Sequence, residues 1–209
     1  MFNKVRAKIL SLTFKIIRRS VISVFASWPK DLERAIILGD LLNHIIMSTP
    51  LKYFFKFKIP NNIHTKLYDL SFPSPIIAAS FKDDVSSLAQ WQLVGLGGMT
   101  YKTVLKTPSD GNNRPRIQEI KYNGGYGLIN SLGLPTKGVE YFVNSFENPK
   151  LLSFNRPIGI SIGGNSIDEY LDVFNLIMSM VVQSSFVQFF YELIIMCAYT
   201  DVGKCFSDD

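Results

Sequence analysis

The chain has 209 residues, 47% of them hydrophobic, with 22 basic against 17 acidic side chains. That composition excludes a disordered polymer and supports one globular domain with an appendage. The net charge of +5 suits an anionic ligand or surface without marking a nucleic-acid protein. Two cysteines, Cys197 and Cys205, and two histidines, His44 and His64, stand in no metal-ligand or disulfide spacing, so neither a zinc site nor a disulfide scaffold is expected.

The first acidic residue is Asp31, and ahead of it come Lys4, Arg6, Lys8, Lys15, Arg18, Arg19 and Lys30. On a helix, Lys4, Lys8, Lys15 and Arg19 share one arc while Val5, Ile9, Leu12 and Ile16 line the adjoining face. Three readings of this basic amphipathic pattern stay open: an interfacial helix lying on a membrane through residues 1–25, an organellar transit peptide, or an extra helix packed on the domain. Trp28 and Pro29 end it. A second helix is predicted over Leu32 to Met47, with Ile37, Leu38, Leu41, Leu42 and Ile45 on one side, Asp31 as cap, and Thr49 and Pro50 as its close.

From about Leu67 short apolar runs alternate with helical patterns, which argues for βα units and a parallel sheet. Pro75 to Ala79 reads as a strand, Ser80 to Asp84 as its loop, and Val85 to Gly95 as a helix with Leu88, Trp91 and Leu93 as apolar positions. Further strands are predicted at Gly97 to Thr103, Pro157 to Gly164 and Glu192 to Thr200, with a helix over Asp168 to Ile177 carrying Tyr170, Val173, Phe174 and Ile177 inward. The apolar run from Val181 to Tyr199 is interrupted by Gln183, Gln188 and Glu192, so no membrane-spanning helix is expected.

The stretch Gly111 to Pro135, GNNRPRIQEIKYNGGYGLINSLGLP, reads on its own as a loop rich in turn residues. It also resembles the substrate loop of the dihydroorotate dehydrogenases, which carry a GNPxPR run, a short β excursion and an INSxGLP run. The resemblance implies an α/β fold: a partial (β/α)8 TIM barrel of about four βα units over residues 67–209, preceded by a helical extension over residues 1–66. It implies oxidation of (S)-dihydroorotate to orotate with FMN, in pyrimidine (UMP) biosynthesis. The extension is similar to the membrane-docking helices of the quinone-dependent branch.

By the same resemblance, Ala78, Ala79 and Ser80 match the family's AAG run at the flavin, where small side chains let a flat ring approach the backbone. Lys102 matches a lysine that touches flavin and substrate, and Thr103 and Ser161 fall at flavin-contacting positions. Asn130 supplies a donor and an acceptor for an imide edge, and Ser131, Leu132, Gly133 and Leu134 offer backbone groups to the substrate. Cys197 matches the catalytic base of the soluble branch. Around it the pattern departs, with Ile194, Ala198 and Tyr199 where the family has asparagine, proline and asparagine. Lys102, the GLP ending and Cys197 look like the soluble branch, whereas the basic extension favours a quinone acceptor.

A (β/α)8 barrel typically needs about 250 residues, so the chain reads as the N-terminal part of such an enzyme, expected to bind FMN weakly or not at all when alone. The expected location is peripheral on the cytoplasmic side of a membrane, or cytoplasmic, or mitochondrial if residues 1–30 are a transit peptide. Two other functions stand beside the leading one: another flavin barrel acting on dihydropyrimidines or enones, and a non-catalytic or peripheral membrane protein whose active part is Met1 to Phe25. No nucleic-acid partner is expected.

Overall fold

Between Phe2 and Ser27 the chain holds neither glycine nor proline, and in the computed structural model it forms an unbroken helical run: α1 (Phe2–Ile17), a π-helical turn (Arg18–Ile22) and α2 (Ser23–Ser27). The structure describes residues 2–27, 30–146, 152–183, 188–198, 200 and 202, so the expected terminators Trp28 and Pro29, together with Tyr199 and Cys205, lie outside the described residues. Helix α3 (Glu33–Met47) begins one residue later than predicted. Its start is held by Asp31, whose Oδ1 accepts the Glu33 amide at 3.0 Å, and a 3-10 turn (Pro50–Phe55) follows its end, since proline lacks the N–H that would continue the helix.

A hairpin of two three-residue strands, β1 (Thr65–Leu67) and β2 (Leu70–Phe72), comes next, too short for alternation to show it in the sequence. Then follow β3 (Ile77–Ala78), α4 (Val85–Leu93), β4 (Gly98–Val104), β5 (Ile117–Tyr122), β6 (Gly125–Asn130), α5 (Val139–Phe146), β7 (Ile158–Ile162), α6 (Ile167–Gln183) and β8 (Phe189–Leu193). All four predicted strands are present with changed ends: β3 and β7 are shorter, β4 keeps its length shifted by one residue, and β8 begins at Phe189 rather than Glu192. Most affected is the last, which ends at Leu193 rather than Thr200, because its final ladder bond runs from Ile194 N to Ile162 O at 3.0 Å, where β7 itself stops. Helix α5 went unpredicted although Val139, Phe142 and Phe146 are buried at helical spacing.

By its contacts the chain divides into two compact units, Met1–Phe54 with Asn112–Leu132, and Phe55–Gly111 with Gly133–Asp209. This division differs from the 66/67 boundary read from composition. The second unit is an α/β layer: β3, β4, β7 and β8 form a sheet in that order, every pair parallel. Helices cover one face. Tyr101 of β4 meets Phe142 of α5 edge-on at 4.7 Å, Phe189 of β8 meets Phe146 at 5.5 Å, and Tyr191 meets Phe174 of α6 at 5.0 Å. Leu88, Met99, Ile158, Ile160, Ile162, Val173 and Ile177 complete a core almost without exposure, as expected for strands buried on both faces.

The helix-free face is built differently. Phe190 lies over Gly159, where a Cβ would sit 2.4 Å from its ring, so only glycine fits beneath it. Phe72 of β2 stands 6.3 Å from Phe190, at the amino end of the strands. The sheet is strongly curled: Ser80, just after β3, donates to Glu192 Oε1 of β8 at 2.5 Å although two strands lie between them. A flat sheet would hold those positions about 14 Å apart.

In the first unit the antiparallel hairpin β5–β6, with Ile117 opposite Asn130 and the turn at Asn123 and Gly124 in positive φ, belongs with the N-terminal helices. The Leu32 amide donates to Ile117 O at 3.0 Å. Arg18 forms an ion pair with Glu119 and stacks 4.6 Å from the centre of the Tyr126 ring.

Candidate functional site

In the second unit the carboxyl ends of the parallel strands gather most of the residues singled out by sequence. Ala78 ends β3 half-buried, Ala79 is exposed, and Ser80 is half-buried and bonded to Glu192. Lys102, next to Tyr101 of the helix-covered face, is half-buried, and its amide donates to Lys82 O at 3.0 Å. A register shift after Tyr101 lets the neighbouring Thr103 reach Ser161 of β7, their hydroxyls 3.0 Å apart and both residues buried. Burial, and after it the nearby Asp83, raises the ionisation of the Tyr101 phenol well above the ordinary tyrosine range.

Cys197 lies beyond the end of β8, half-buried and free. The segment leading to it is fixed by the Tyr170 hydroxyl of α6, which donates to Ile194 O. Gly133 and Leu134 also belong to this unit, and both take positive φ, 70° and 51°. That conformation is strained for a leucine and recurs where a loop is shaped for binding.

In the first unit the remaining candidates sit at a stitched neck. The Ser131 amide donates to Arg116 O at 2.8 Å, the Asn112 amide to Leu132 O at 3.0 Å, and Asn112 Nδ2 to Ser131 O at 3.0 Å. Arg116 donates from one guanidinium nitrogen to Asn112 O at 2.9 Å and Leu132 O at 3.4 Å. The backbone groups of Ser131 and Leu132 thus close the loop on itself, while Asn130 is left exposed at the end of β6.

The donor set fits a flavin ring in part. Ala78, Ala79 and Ser80 are a run of small side chains of which Ala79 is exposed, Ala78 packs against the core and Ser80 bonds Glu192, and Lys102 places a cation on the adjacent strand. Ser161 and Thr103 do not fit as direct contacts, because their hydroxyls are buried and turned to each other.

Sequence reading missed the charged residues that shape these places. Glu33 accepts from Arg114 Nε at 2.8 Å and from Arg116 Nε at 2.6 Å, and Asp31 accepts from Arg114 at 2.6 Å. The signal was present, since Asp31 and Glu33 are the first acids after a run of cations and the RPR triplet is the densest positive point of the loop. Glu192 carried no signal of its own, because only the curl of the sheet brings it to Ser80.

Comparison with known proteins matches residues 62–188 to the dihydroorotate dehydrogenase family. The catalytic subunit of dihydroorotate dehydrogenase B (NAD(+)) from Pyrococcus horikoshii is 34% identical over 110 residues, 52% of this chain and 34% of that protein. Dihydroorotate dehydrogenase (quinone) from Pectobacterium atrosepticum is 33% identical over 141 residues, 67% of this chain and 40% of that protein. Among solved structures, DHODH from Eimeria tenella in complex with ferulenol superposes with a TM-score of 0.51 at 16% identity, covering 77% of this chain and 44% of that one, a likeness of fold. The chain therefore spans well under half the length of these relatives, and their names divide between NAD(+)-linked and quinone-linked enzymes.

Proposed function

This chain belongs to the dihydroorotate dehydrogenase family, a family of FMN-dependent oxidoreductases, and on that premise we propose that its chemistry is the oxidation of (S)-dihydroorotate to orotate. One observation carries the reading. The Gly111 to Pro135 stretch folds as a hairpin on a closed neck, with Asn130 exposed at its end, and an asparagine amide pairs with the donor and acceptor of an imide edge. Lys102 binds the substrate carboxylate as a half-buried cation. Cys197 takes the C5 proton. Ala78, Ala79 and Ser80 would hold the flat ring of FMN, which would supply the hydride acceptor.

Orotate titration in the presence of FMN tests this. Binding that Asn130→Ala weakens by about tenfold or more, as expected for a lost pair of polar contacts, supports the assignment. Orotate binding indifferent to Asn130→Ala, or no binding at all, would remove it.

A second, compatible reading concerns the first unit. Val5, Ile9, Leu12 and Ile16 of α1 are 47–60% exposed, and Ile37, Leu41 and Ile45 of α3 are 51–60% exposed, beside the cations Lys4, Lys8 and Lys15. Such a surface suits the interface of an anionic membrane and a lipid-soluble quinone as electron acceptor. Among the described residues no helix is long and apolar enough to cross a membrane. Reversing the charge of Lys4, Lys8 and Lys15 is expected to release the chain from anionic vesicles. Unchanged co-sedimentation, or none with the wild type, would count against it.

A further inference from the structure

Both oxygens of one carboxylate are committed to the loop neck. Glu33, in the first turn of α3, gives Oε2 to Arg114 and Oε1 to Arg116, with side-chain exposures of 12% for Glu33 and 13% for Arg116. Arg116 in turn spans the two ends of the hairpin by its bonds to Asn112 O and Leu132 O. Beside this pair the Leu32 main chain joins Ile117, and Asp31 holds both the second guanidinium and the first turn of α3. An arginine this buried needs a carboxylate partner, since an uncompensated buried charge is costly, and the planar guanidinium then keeps its remaining donors in a fixed fork.

We propose that Glu33 is a positioning residue for the Asn130 loop: it orients Arg116, and Arg116 holds the neck, closed by Ser131 and Leu132, next to which Asn130 is exposed. The proposal rests on the reading of this loop as the orotate-binding loop. It makes helix α3, rather than the hairpin's own turn, the element that sets where β6 ends. Glu33 touches no substrate and acts through the guanidinium groups of Arg116 and Arg114.

Amide hydrogen exchange on the full chain tests it. Glu33→Gln is expected to speed exchange at the Asn112 and Ser131 amides by on the order of a hundredfold, the scale of a broken buried pair, while Met99 and Ile158 in the second unit keep their protection. Glu33→Asp, which retains the charge on a shorter arm, should restore part of it. With Arg114→Gln as a common background that removes the other partner of Glu33, Arg116→Gln should open the neck as far as Glu33→Gln does, and adding Glu33→Gln should change nothing more. That epistasis separates action through Arg116 from general loosening of α3. Additive effects of the two substitutions, unchanged exchange at Asn112 and Ser131, or equal acceleration in both units would overturn the proposal. Orotate titration of the wild type reports separately on the reading of the loop: a neck that depends on Glu33 with no orotate binding keeps the positioning role and discards the ligand.

Discussion

The two units of this chain are held by different forces. In the second, Leu88, Met99, Val104, Phe142, Phe146, Ile158, Ile160 and Ile162 are all within 1% of complete burial, and the sheet is sealed by packing against three helices. In the first, the buried residues include Arg6, Asp31 and Asn43, and the hairpin is fastened by Arg18, Arg114 and Arg116 to Glu119, Asp31 and Glu33. This unit buries Leu32, Met47 and Ile117 as well, but many of its large aliphatic side chains are displayed, with Leu12 60% exposed and Leu41 58%. Burying apolar area stabilises by about 25 cal/mol for each Å², whereas an ion pair nearly breaks even against desolvation. The second unit therefore draws its stability mainly from a large apolar core, and the first leans more on buried polar and charged contacts.

That contrast can be broken or sharpened by substitution. The largest effect is expected from Phe142→Ala, which empties the contact with Tyr101 and Phe146 and should cost about 3–5 kcal/mol in denaturant unfolding. A loss below about 1 kcal/mol would mean that the second unit is not the stability core.

Next comes alkaline pH. The Tyr101 phenol ionises higher in the folded chain than in the unfolded one, first because it is buried and then because Asp83 is near. Between the two values the folded state holds the extra proton, so stability is intact below about pH 10 and falls above it by about 1.4 kcal/mol per pH unit until the folded group also ionises. Tyr101→Phe should flatten that decline, and unfolding curves from pH 8 upward would show it. An equally steep decline in the variant would exclude Tyr101 as its source.

Asp84→Ala removes the cap that accepts the Ser87 amide at 2.7 Å and should cost about 1 kcal/mol, visible as a small shift in the same transition. Smallest of all is Leu12→Ser in the first unit, expected to change stability by no more than about 0.5 kcal/mol while weakening vesicle binding. A folding cost comparable with that of Phe142→Ala would show that the α1 face is packed in the free chain and would erase the contrast.

Glu33 and Glu192 show what a one-dimensional reading misses. Glu33 lies 83 residues from Arg116 and Glu192 lies 112 from Ser80, and nothing local announces either pairing. Helix α5 is the opposite case: its buried Val139, Phe142 and Phe146 were legible at helical spacing but lay hidden behind a loop motif that drew the reading elsewhere. Strand ends were overextended because apolar runs continue past the last ladder partner, as Ile194 and Ile195 do after β8.

Periodicity and motif by themselves determined that α1 is basic on one face, that a parallel sheet alternates with helices, and that Gly111 to Pro135 belongs to the dihydroorotate dehydrogenase pattern. These are local properties, set by the repeat of each element and by the turn residues between them. Tertiary structure alone decided that Ser161 and Thr103 satisfy each other, that the curl of the sheet joins its first and fourth strands, and that the loop neck is anchored on the first turn of α3. Such pairings follow from which buried charge or hydroxyl needs a partner once the backbone has brought distant segments together.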